Sequence, residues 1–382
     1  MPVYLDHNAT TPLDPRVLEA MLPYLTEQHG NPSSVHRYGR AARGAIDRAR
    51  EQVAELVNAH PSQVIFTGCG TEASNLVIKG FAALNKPGRL VIGATEHPSV
   101  AEPANSLKKN GWHVSVLPVD RQGCLIEAEM EALLKLRPEM VSVMWANNET
   151  GVVQDIPALA AKVRANGGVM HTDAVQAAGK IEVDFSASGV QLMSLSAHKL
   201  NGPKGVGALI ADKSVEMAPL LQGGGQEKGR RSGTENVAGI VGFGAAASLA
   251  KAQLAEYGAR MRSLRDRLES ELRAFDDIEI FGAPANRLPN TTCFGMRGVD
   301  GETLLLNLDQ AGIAISSGSA CASSHREPSP VLQAMGIDSE VALSAIRVSF
   351  GAGNTAQDVD TFIAALTAQL RQLRRMAGRA VG

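Results

Sequence analysis

The feature that most constrains the fold is an alternation of short apolar runs and longer helical stretches between residues 60 and 210. Segments between the runs, such as EASNLVIKGFAAL and IPALAAKVRANG, have the apolar spacing of helices. The alternation predicts a mainly parallel α/β sheet with helices on both faces. The seven runs that predict its strands are VIFTG, RLVIGA, HVSVLPV, MVSVMWA, GVMHTDA, LMSLSA and GVGALIA.

Two segments with the apolar spacing of amphipathic helices flank this region, and the pattern of predicted elements changes after residue 276. From there the chain reads as short strands (IEIFG, TTCFGM, IRVSF) with helices between and after them, which predicts a second, smaller α+β domain. We expect a large domain over 15–255 and a small domain formed by 1–14 and 256–382. The apolar stripes of the two segments are Tyr38, Ala42, Ile46, Ala49, Val53 and Leu56, and then Tyr257, Met261, Leu264, Leu268, Leu272 and Phe275.

Composition excludes several classes of function. The 382 residues carry a net charge of only −2, and no basic tract is long enough to bind a nucleic-acid backbone. No apolar run reaches the roughly 18 to 20 residues that span a bilayer, and MPVYLDHNATTP does not resemble a signal peptide. We therefore expect a cytoplasmic protein without a membrane partner.

The cysteines and histidines give no metal or disulfide signal. Cys69, Cys124, Cys293 and Cys321 form no CxxC pair, and the nine histidines form no HExxH motif. We expect no metal site and no disulfide framework, with Cys124 and Cys293 as packing residues.

Polar residues follow the predicted strands at points where α/β sheets bind ligands. In VIFTGCGTEASN, a glycine turn precedes a helix and could bind phosphate, although Thr71 acting as an N-cap would explain the same residues. In LMSLSAHKLNGPKG, an apolar strand ends in Ser196, His198 and Lys199. Burial would lower the pKa of this lysine, as an imine-forming amine requires, whereas a solvated lysine at a strand end is the alternative.

Two further segments have both a chemical and an ordinary interpretation. HTDAVQ ends a strand with Asp173 and Gln176; an aspartate can keep a pyridine nitrogen protonated, or it can simply cap a helix. ISSGSACASSHREPS surrounds Cys321 with small residues. A reactive thiol needs such solvent access, although Ser/Gly-rich loops also contain incidental residues.

Ten motifs in one order resemble a known family. The chain is similar to the fold type I, class V enzymes of pyridoxal 5′-phosphate (PLP), and most closely to the cysteine desulfurases of the NifS/IscS kind. MWANNETG and GRRSGTEN are nearer to the NifS type. The motifs, from residue 5 to 351, are LDHNATTP, HGNPSSVH, GTE, ATEHPSV, WANNETG, HTDAVQ, SAHK, GRRSGTEN, SSGSACAS and IRVSF.

The resemblance implies a set of PLP-binding residues. Lys199 would hold the cofactor covalently and move the substrate α-proton, while His97 would stack on the ring and assist proton transfer. Asp173 would pair with the pyridine nitrogen. The other side of the ring and the phosphate would be bound by Asn148, Gln176, Thr71, Ser196 and His198, and, from a neighbouring subunit in a homodimer, by Thr234.

The resemblance also implies the substrate and the nucleophile. Asn31 and Arg347 would bind the α-carboxylate of L-cysteine, although Arg347 could instead form a structural ion pair. Cys321 would attack the substrate sulfur, giving alanine and an enzyme persulfide. We expect its loop, residues 316–329, to move between the cofactor and a sulfur acceptor that serves iron–sulfur cluster assembly or another thiolation.

The sequence departs from its relatives in two places. Ala197 stands where many relatives have glycine before the histidine and lysine of SAHK. The sequence ends at RQLRRMAGRAVG, without the tail that housekeeping relatives use against their scaffold. Docking to an IscU- or NifU-like scaffold is therefore less secure than the chemistry.

Four other functions are alternatives for a sequence of this kind. Selenocysteine cleavage or transamination with a small keto acid would use the same class V fold, although transamination needs no thiol. A non-catalytic binding protein could also keep the fold. A nicotinamide oxidoreductase is disfavoured because GPKGVG, residues 202–207, does not form a GxGxxG fingerprint.

Overall fold

The computed structural model describes residues 2–317 and 327–376, which form three β-sheets and twelve α-helices. The strands are β1 (Val3–Tyr4), β2 (Val64–Thr67), β3 (Arg89–Gly93), β4 (His113–Leu117), β5 (Met140–Ser142), β6 (Val169–Asp173), β7 (Leu192–Ser196), β8 (Gly207–Ala211), β9 (Ile278–Ile280), β10 (Thr291–Met296), β11 (Ile313–Ala314), β12 (Ser316–Ser317) and β13 (Ile346–Ser349). The helices are α1 (Pro15–Thr26), α2 (Arg37–Leu56), α3 (Gly70–Leu84), α4 (Pro98–Leu107), α5 (Glu127–Leu134), α6 (Ile156–Ala165), α7 (Phe185–Ser188), α8 (Val237–Leu272), α9 (Gly301–Gln310), α10 (Pro330–Ala334), α11 (Ser339–Leu343) and α12 (Ala356–Met376).

The predicted seven-stranded, mainly parallel sheet is confirmed. Its strand order is β2-β8-β7-β6-β5-β3-β4, and β8 alone runs antiparallel to its neighbours. Each of the seven apolar runs contains one strand. Because β5, β6 and β7 are parallel, their carboxyl ends lie at one edge, where site residues can converge.

Helices cover both faces of this sheet, as expected for buried parallel strands. Val64 and Phe66 pack into the core beneath α2 and α8, whereas Ile65 packs on the opposite face with α3 and α4. The prediction that Tyr38 belongs to the buried stripe of α2 was wrong, because this residue is 46% exposed. The buried face of α2 instead begins with Gly39 and continues through small side chains that allow close packing on α8.

Helix α8 is longer than the sequence indicated and joins two hydrophobic cores. Phe243 packs in the core of the large sheet, and Met261 and Leu268 pack in a second core. By length and composition alone α8 could span a membrane, but its apolar side chains pack inside these cores. The proposed boundary at residue 255 falls within this continuous helix, so the domain division stays a prediction.

The second core surrounds a four-stranded antiparallel sheet with the order β12-β13-β10-β9. Val3 and Leu5 from the N-terminus pack in this core, next to α9 and α12. Residues Val3–Tyr4 pair in parallel with Ile313–Ala314. The N-terminal segment therefore lies against the smaller sheet and continues toward the edge of the larger one.

Candidate active site

Two adjacent strands place three of the predicted site residues together. Asp173 is the last residue of β6 and lies opposite Ser194 in the neighbouring parallel strand β7. Ser196 ends β7, and a 3₁₀ turn over Ala197–Lys199 follows immediately. Ala197 is fully buried without a positive φ, so this turn does not require glycine. The apolar strands thus hold Asp173, Ser196 and Lys199 at one edge of the sheet.

The glycine turn before α3 lies directly beside Ser196. The ordinary interpretation, with Thr71 as N-cap, was wrong, because α3 begins at Gly70 and Cys69 is the N-cap residue. A Cβ atom added to Gly70 would lie 3.4 Å from Cβ of Ser196. The Ser196 hydroxyl is buried and has no hydrogen-bond partner, although a buried polar group is normally paired. The N-terminus of α3 and the unpaired hydroxyl of Ser196 therefore lie side by side, and both can donate hydrogen bonds to an anion.

Lys199 has a partly buried amine with unusual acidity. Its Nζ donates hydrogen bonds to the backbone oxygens of Asn8, at 2.6 Å, and Ala9, at 2.7 Å. Burial lowers the pKa of Lys199 to about 8, and the nearby Arg347 charge acts in the same direction. The solvated-lysine alternative does not describe this side chain, and its amine can lose a proton near physiological pH.

Asp173 and His97 lie close enough to perturb each other's ionisation. Burial raises the pKa of Asp173, while the charges of His97 and Lys199 oppose that shift. Asp173 accepts a hydrogen bond from the Val175 N–H at 2.9 Å, within a turn, so it does not cap a helix. Partial desolvation lowers the pKa of His97. Its Nδ1 accepts the Ser99 N–H at 3.1 Å, so Nε2 carries the proton of the neutral ring.

The structure adds two residues that the sequence did not identify. Asn8 is buried, and its backbone oxygen accepts hydrogen bonds from Gln176 Nε2 and Lys199 Nζ. Lys180 is 4% exposed and donates to Gln176 Oε1 at 2.7 Å and to Asn8 Oδ1 at 3.0 Å. Asn8 belongs to the LDHNATTP motif, which was a usable signal, whereas nothing in the local sequence marked Lys180.

Arg347 comes from the smaller sheet and forms an ion pair. It lies within β13, is 6% exposed, and its Nη2 contacts Asp6 Oδ1 at 2.7 Å. Its Nη1 donates to the Asn148 backbone oxygen at 3.0 Å, whereas its buried Nε has no partner. Arg347 therefore forms the ion pair that the sequence left open, and its Nε–H group has no partner.

Other predicted residues are less directly connected. Asn31 is exposed in the loop before α2, where its side-chain oxygen accepts the Ser33 N–H, and it makes no hydrogen bond to Arg347. Thr234 is exposed in the segment before α8. Half-buried His198 contacts Thr10 Oγ1 through Nδ1 at 3.2 Å, and burial lowers its pKa to about 4. The chain thus assembles most, but not all, of the expected set.

Cys321 lies outside the described residues, as does most of its predicted loop. On one described flank β12 pairs Ser316 with Arg347, and on the other Ser329 Oγ donates at 2.5 Å to Oε2 of Glu149, in a turn after β5. Burial raises the pKa of Glu149 to about 7. Within residues 2–317 and 327–376, no cluster of three or more acidic, histidine or cysteine side chains could hold a metal ion.

Comparison with known proteins identifies the family. Residues 3–362 match the Aminotransferase class-V family. The chain is 44% identical over 377 residues to cysteine desulfurase 2 of Trichormus variabilis, covering 98% of this chain and 94% of that protein. It resembles the solved structure of a NifS-like protein from Rickettsia africae, with a TM-score of 0.89, 35% identity, and coverage of 97% and 100%.

A second solved structure, named SspA in complex with cysteine, has a TM-score of 0.80 and 31% identity, and it covers 91% of this chain and 98% of its own. These similarities extend over both sheets and the segments that carry Asp173, Lys199 and Arg347. With its fold type I architecture, the chain belongs to the PLP-dependent class V aminotransferase family, among its cysteine desulfurases.

Proposed function

We propose that this protein is a PLP-dependent cysteine desulfurase that transfers sulfur from L-cysteine to Cys321 and releases L-alanine. The observation that carries the proposal is the desolvated Lys199 amine at the end of β7, beside buried Asp173 and the unpaired Ser196 hydroxyl. A lysine of lowered pKa is the group required to bind an aldehyde cofactor covalently.

The residues present fit PLP. The unpaired Ser196 hydroxyl next to the first turn of α3 suits its phosphate, and Thr71 and His198 lie in the adjoining turns. Asp173 provides a carboxylate for the pyridine nitrogen. Asn148 and Gln176 supply amides for the opposite side of the ring. When bound, PLP supplies an electron sink that weakens the bonds around the substrate α-carbon.

Two residues would move protons. Lys199, with a pKa of about 8, would accept the substrate α-proton near neutral pH through its free amine. His97 would lie over the ring face and donate through Nε2, because Nδ1 is occupied by the Ser99 N–H. Asp173 lies near both groups, and a positive charge on either one lowers the pKa of its carboxyl against the opposing effect of burial.

Arg347 would bind the substrate carboxylate. Its unpaired Nε supplies one donor, and exchange of the Asp6 carboxylate for the substrate carboxylate would supply a second. Asn31 would complete the contact from its exposed loop. The solved relative named for its complex with cysteine supports this choice of substrate.

Cys321 would perform the sulfur step. Its thiolate bonds to the substrate sulfur, the substrate Cβ–S bond breaks, and Cβ gains a proton. L-cysteine and an enzyme thiol thereby become L-alanine and an enzyme persulfide, with no outside oxidant or reductant. Thiol exchange would then pass the sulfur to an acceptor, such as an IscU- or NifU-like scaffold for iron–sulfur assembly.

The protein would be a cytoplasmic homodimer, in which each subunit contributes a residue to the phosphate site of the other. Leu18, Leu22 and Leu25 recur on one side of α1 and are 43%, 45% and 61% exposed, which supports burial against a second copy. Exposed Thr234 would then reach the phosphate in the neighbouring subunit. Light scattering should give twice the mass of one chain.

The direct test measures alanine and protein-bound persulfide after PLP-loaded protein is mixed with L-cysteine. We expect alanine and persulfide in equal amounts in the first turnover, and continued turnover when a thiol reductant accepts the sulfur. Mercaptopyruvate in place of alanine would indicate transamination, pyruvate with free sulfide would indicate β-elimination, and either product would contradict the proposal. Alanine production from selenocysteine but not from cysteine would contradict it as well.

A further inference from the structure

Lys180 is a buried lysine for which the proposed reaction gives no role. Its amine donates to two neutral side-chain oxygens, Oε1 of Gln176 and Oδ1 of Asn8. No carboxylate in residues 2–317 or 327–376 forms an ion pair with it. A lysine buried without an opposite charge is costly, so its position requires an explanation.

The hydrogen bonds around Gln176 fix the orientation of its amide. The backbone oxygen of Asn8 can only accept, so Nε2 of Gln176 faces it at 3.0 Å, and Oε1 on the other side of the amide accepts from the Lys180 amine at 2.7 Å. One N–H of the amide remains for another partner. That partner must be an acceptor, such as the phenolic oxygen of PLP.

We propose that Lys180 is a positioning residue, which holds the Gln176 amide so that its free N–H faces the phenolic oxygen of PLP and stabilises that oxygen as an anion. This inference rests on the proposed function and extends it to a residue outside the expected site. Asn8 is the second support, because it accepts from both Lys180 and Gln176.

The electrostatic surroundings agree with this role. Burial lowers the pKa of Lys180, and the charges of Lys199 and Arg347 lower it further. Burial lowers the pKa of His7 and of His198, and the charge of Lys180 adds to both shifts. A site with this many cationic groups and few carboxylates favours an anionic ligand.

The test uses Lys180→Met, which keeps the volume of the side chain but removes its donors. Lys204→Met is the matched control, because Lys204 is exposed and also acts on His198, yet it makes no hydrogen bond to Gln176. Each purified protein is loaded with PLP, and the pH midpoint of its visible absorption band is measured. Fluorescence titration of the apoproteins gives the Kd for PLP.

We expect Lys180→Met to raise the midpoint of the absorption band by about one pH unit. The Gln176 N–H would no longer be held toward the phenolic oxygen, so the anionic form of that oxygen would be less stable. We expect the Kd for PLP to rise roughly 10-fold, because the phenolic oxygen of bound PLP would be a buried acceptor without a donor. Lys204→Met should change neither value appreciably. If the wild type has a normal band and the midpoint of Lys180→Met is unchanged, this inference is wrong but the proposed function stands. If the PLP-loaded wild type shows no band, the proposed function itself is wrong.

A double-mutant cycle tests whether Lys180 acts through Gln176. The midpoint of Lys180→Met/Gln176→Met should equal that of Gln176→Met alone, whereas additive shifts would show a direct charge effect and overturn the positioning role. If Lys180→Met does not fold, Gln176→Glu replaces it, since this carboxylate still pairs with Lys180 but offers no N–H. Its midpoint should rise, and an unchanged midpoint would contradict the proposal.

Discussion

The seven-stranded sheet and the four-stranded sheet supply residues to the candidate site from different parts of their strands. Asp173 and Ser196 end parallel strands, with Lys199 in the next turn, so their side chains extend beyond the sheet edge. Arg347 instead lies within antiparallel β13 and is paired with Asp6. Under the proposed function, the larger sheet would present cofactor-binding groups at its edge, whereas the smaller sheet would present a substrate-binding group from its interior.

This difference suggests a division of labour that mutations can test. Changes at the edge of the larger sheet should remove cofactor binding and activity together. Changes on the smaller sheet, or on the loop that follows β12, should remove activity while the cofactor stays bound. Asn8 contacts both sides, since it bonds to Lys180 and Lys199 on one side and to Asn290 and Thr291 on the other.

The largest expected effect on the larger sheet comes from Lys199→Ala. Without this amine the protein cannot hold PLP covalently, so the visible absorption band and alanine formation should both disappear, with activity reduced at least about 10³-fold. Absorption spectra and a cysteine-to-alanine assay measure the two effects. Lys204→Ala is the control, and normal turnover in Lys199→Ala would contradict the assignment.

An equally large loss of activity is expected from Cys321→Ala, but with the cofactor band intact. In the proposed reaction this thiol would accept the sulfur, so alanine formation should fall at least about 10³-fold without a change in PLP content. Cys124→Ala, which alters a half-buried cysteine, should keep full activity. Loss of the band in Cys321→Ala, or unchanged turnover, would break the proposed division between the two regions.

A smaller effect is expected from Arg347→Lys. Lysine keeps the charge beside Asp6 but cannot bind a carboxylate through two parallel N–H groups. KM for L-cysteine should rise by about 10- to 100-fold, while kcat and the cofactor band change little. Steady-state kinetics test this, with exposed Arg297→Lys as the control. A loss confined to kcat would show that Arg347 does not bind the substrate.

The pH dependence of cofactor attachment should reveal the lowered pKa of Lys199. The neutral amine reacts, and because burial lowers its pKa to about 8 from the model-compound value of 10.5, its neutral fraction rises through that pH. From pH 7 to pH 9 the rate of PLP attachment to the apoprotein should increase roughly tenfold. Stopped-flow absorbance measures it. A rate that rises only above pH 10 would contradict the effect of burial.

The smallest of these effects is expected from Ser196→Ala. It removes one hydroxyl from the predicted phosphate contacts, so the Kd for PLP should rise about 5-fold, equivalent to about 1 kcal/mol. KM for L-cysteine should stay the same, which separates it from Arg347→Lys. Ser214→Ala, at an exposed site, is the control. An unchanged Kd would remove Ser196 from the phosphate site.

Residues at strand ends were predictable because a local pattern marks them. A run of buried apolar residues that ends in Ser196, His198 and Lys199 shows where the strand stops and where the polar groups begin. Tyr38 shows the limit of such patterns, since it matched the helical spacing of α2 but lies outside its buried face. Apolar periodicity predicts which side of α2 faces the core, but the packing of α8 determines which residues on that side are buried.

The role of Lys180 and the state of Arg347 could not be predicted in the same way. Arg347 and Asp6 lie 341 residues apart in the chain, and no local pattern records that they pair. Lys180 follows a glycine in an unremarkable turn, and its environment depends on Asn8, which lies 172 residues earlier in the chain. Such contacts exist only after the N-terminal segment has packed between the two sheets.

The sequence by itself determined the seven strands, the lysine and aspartate at their ends, and the family to which the chain belongs. Local apolar patterning and motif order are sufficient for these, because each depends on residues close together in the chain. Only the tertiary structure decided which hydrogen bonds and charges surround those residues, since desolvation and pairing depend on segments that meet after folding.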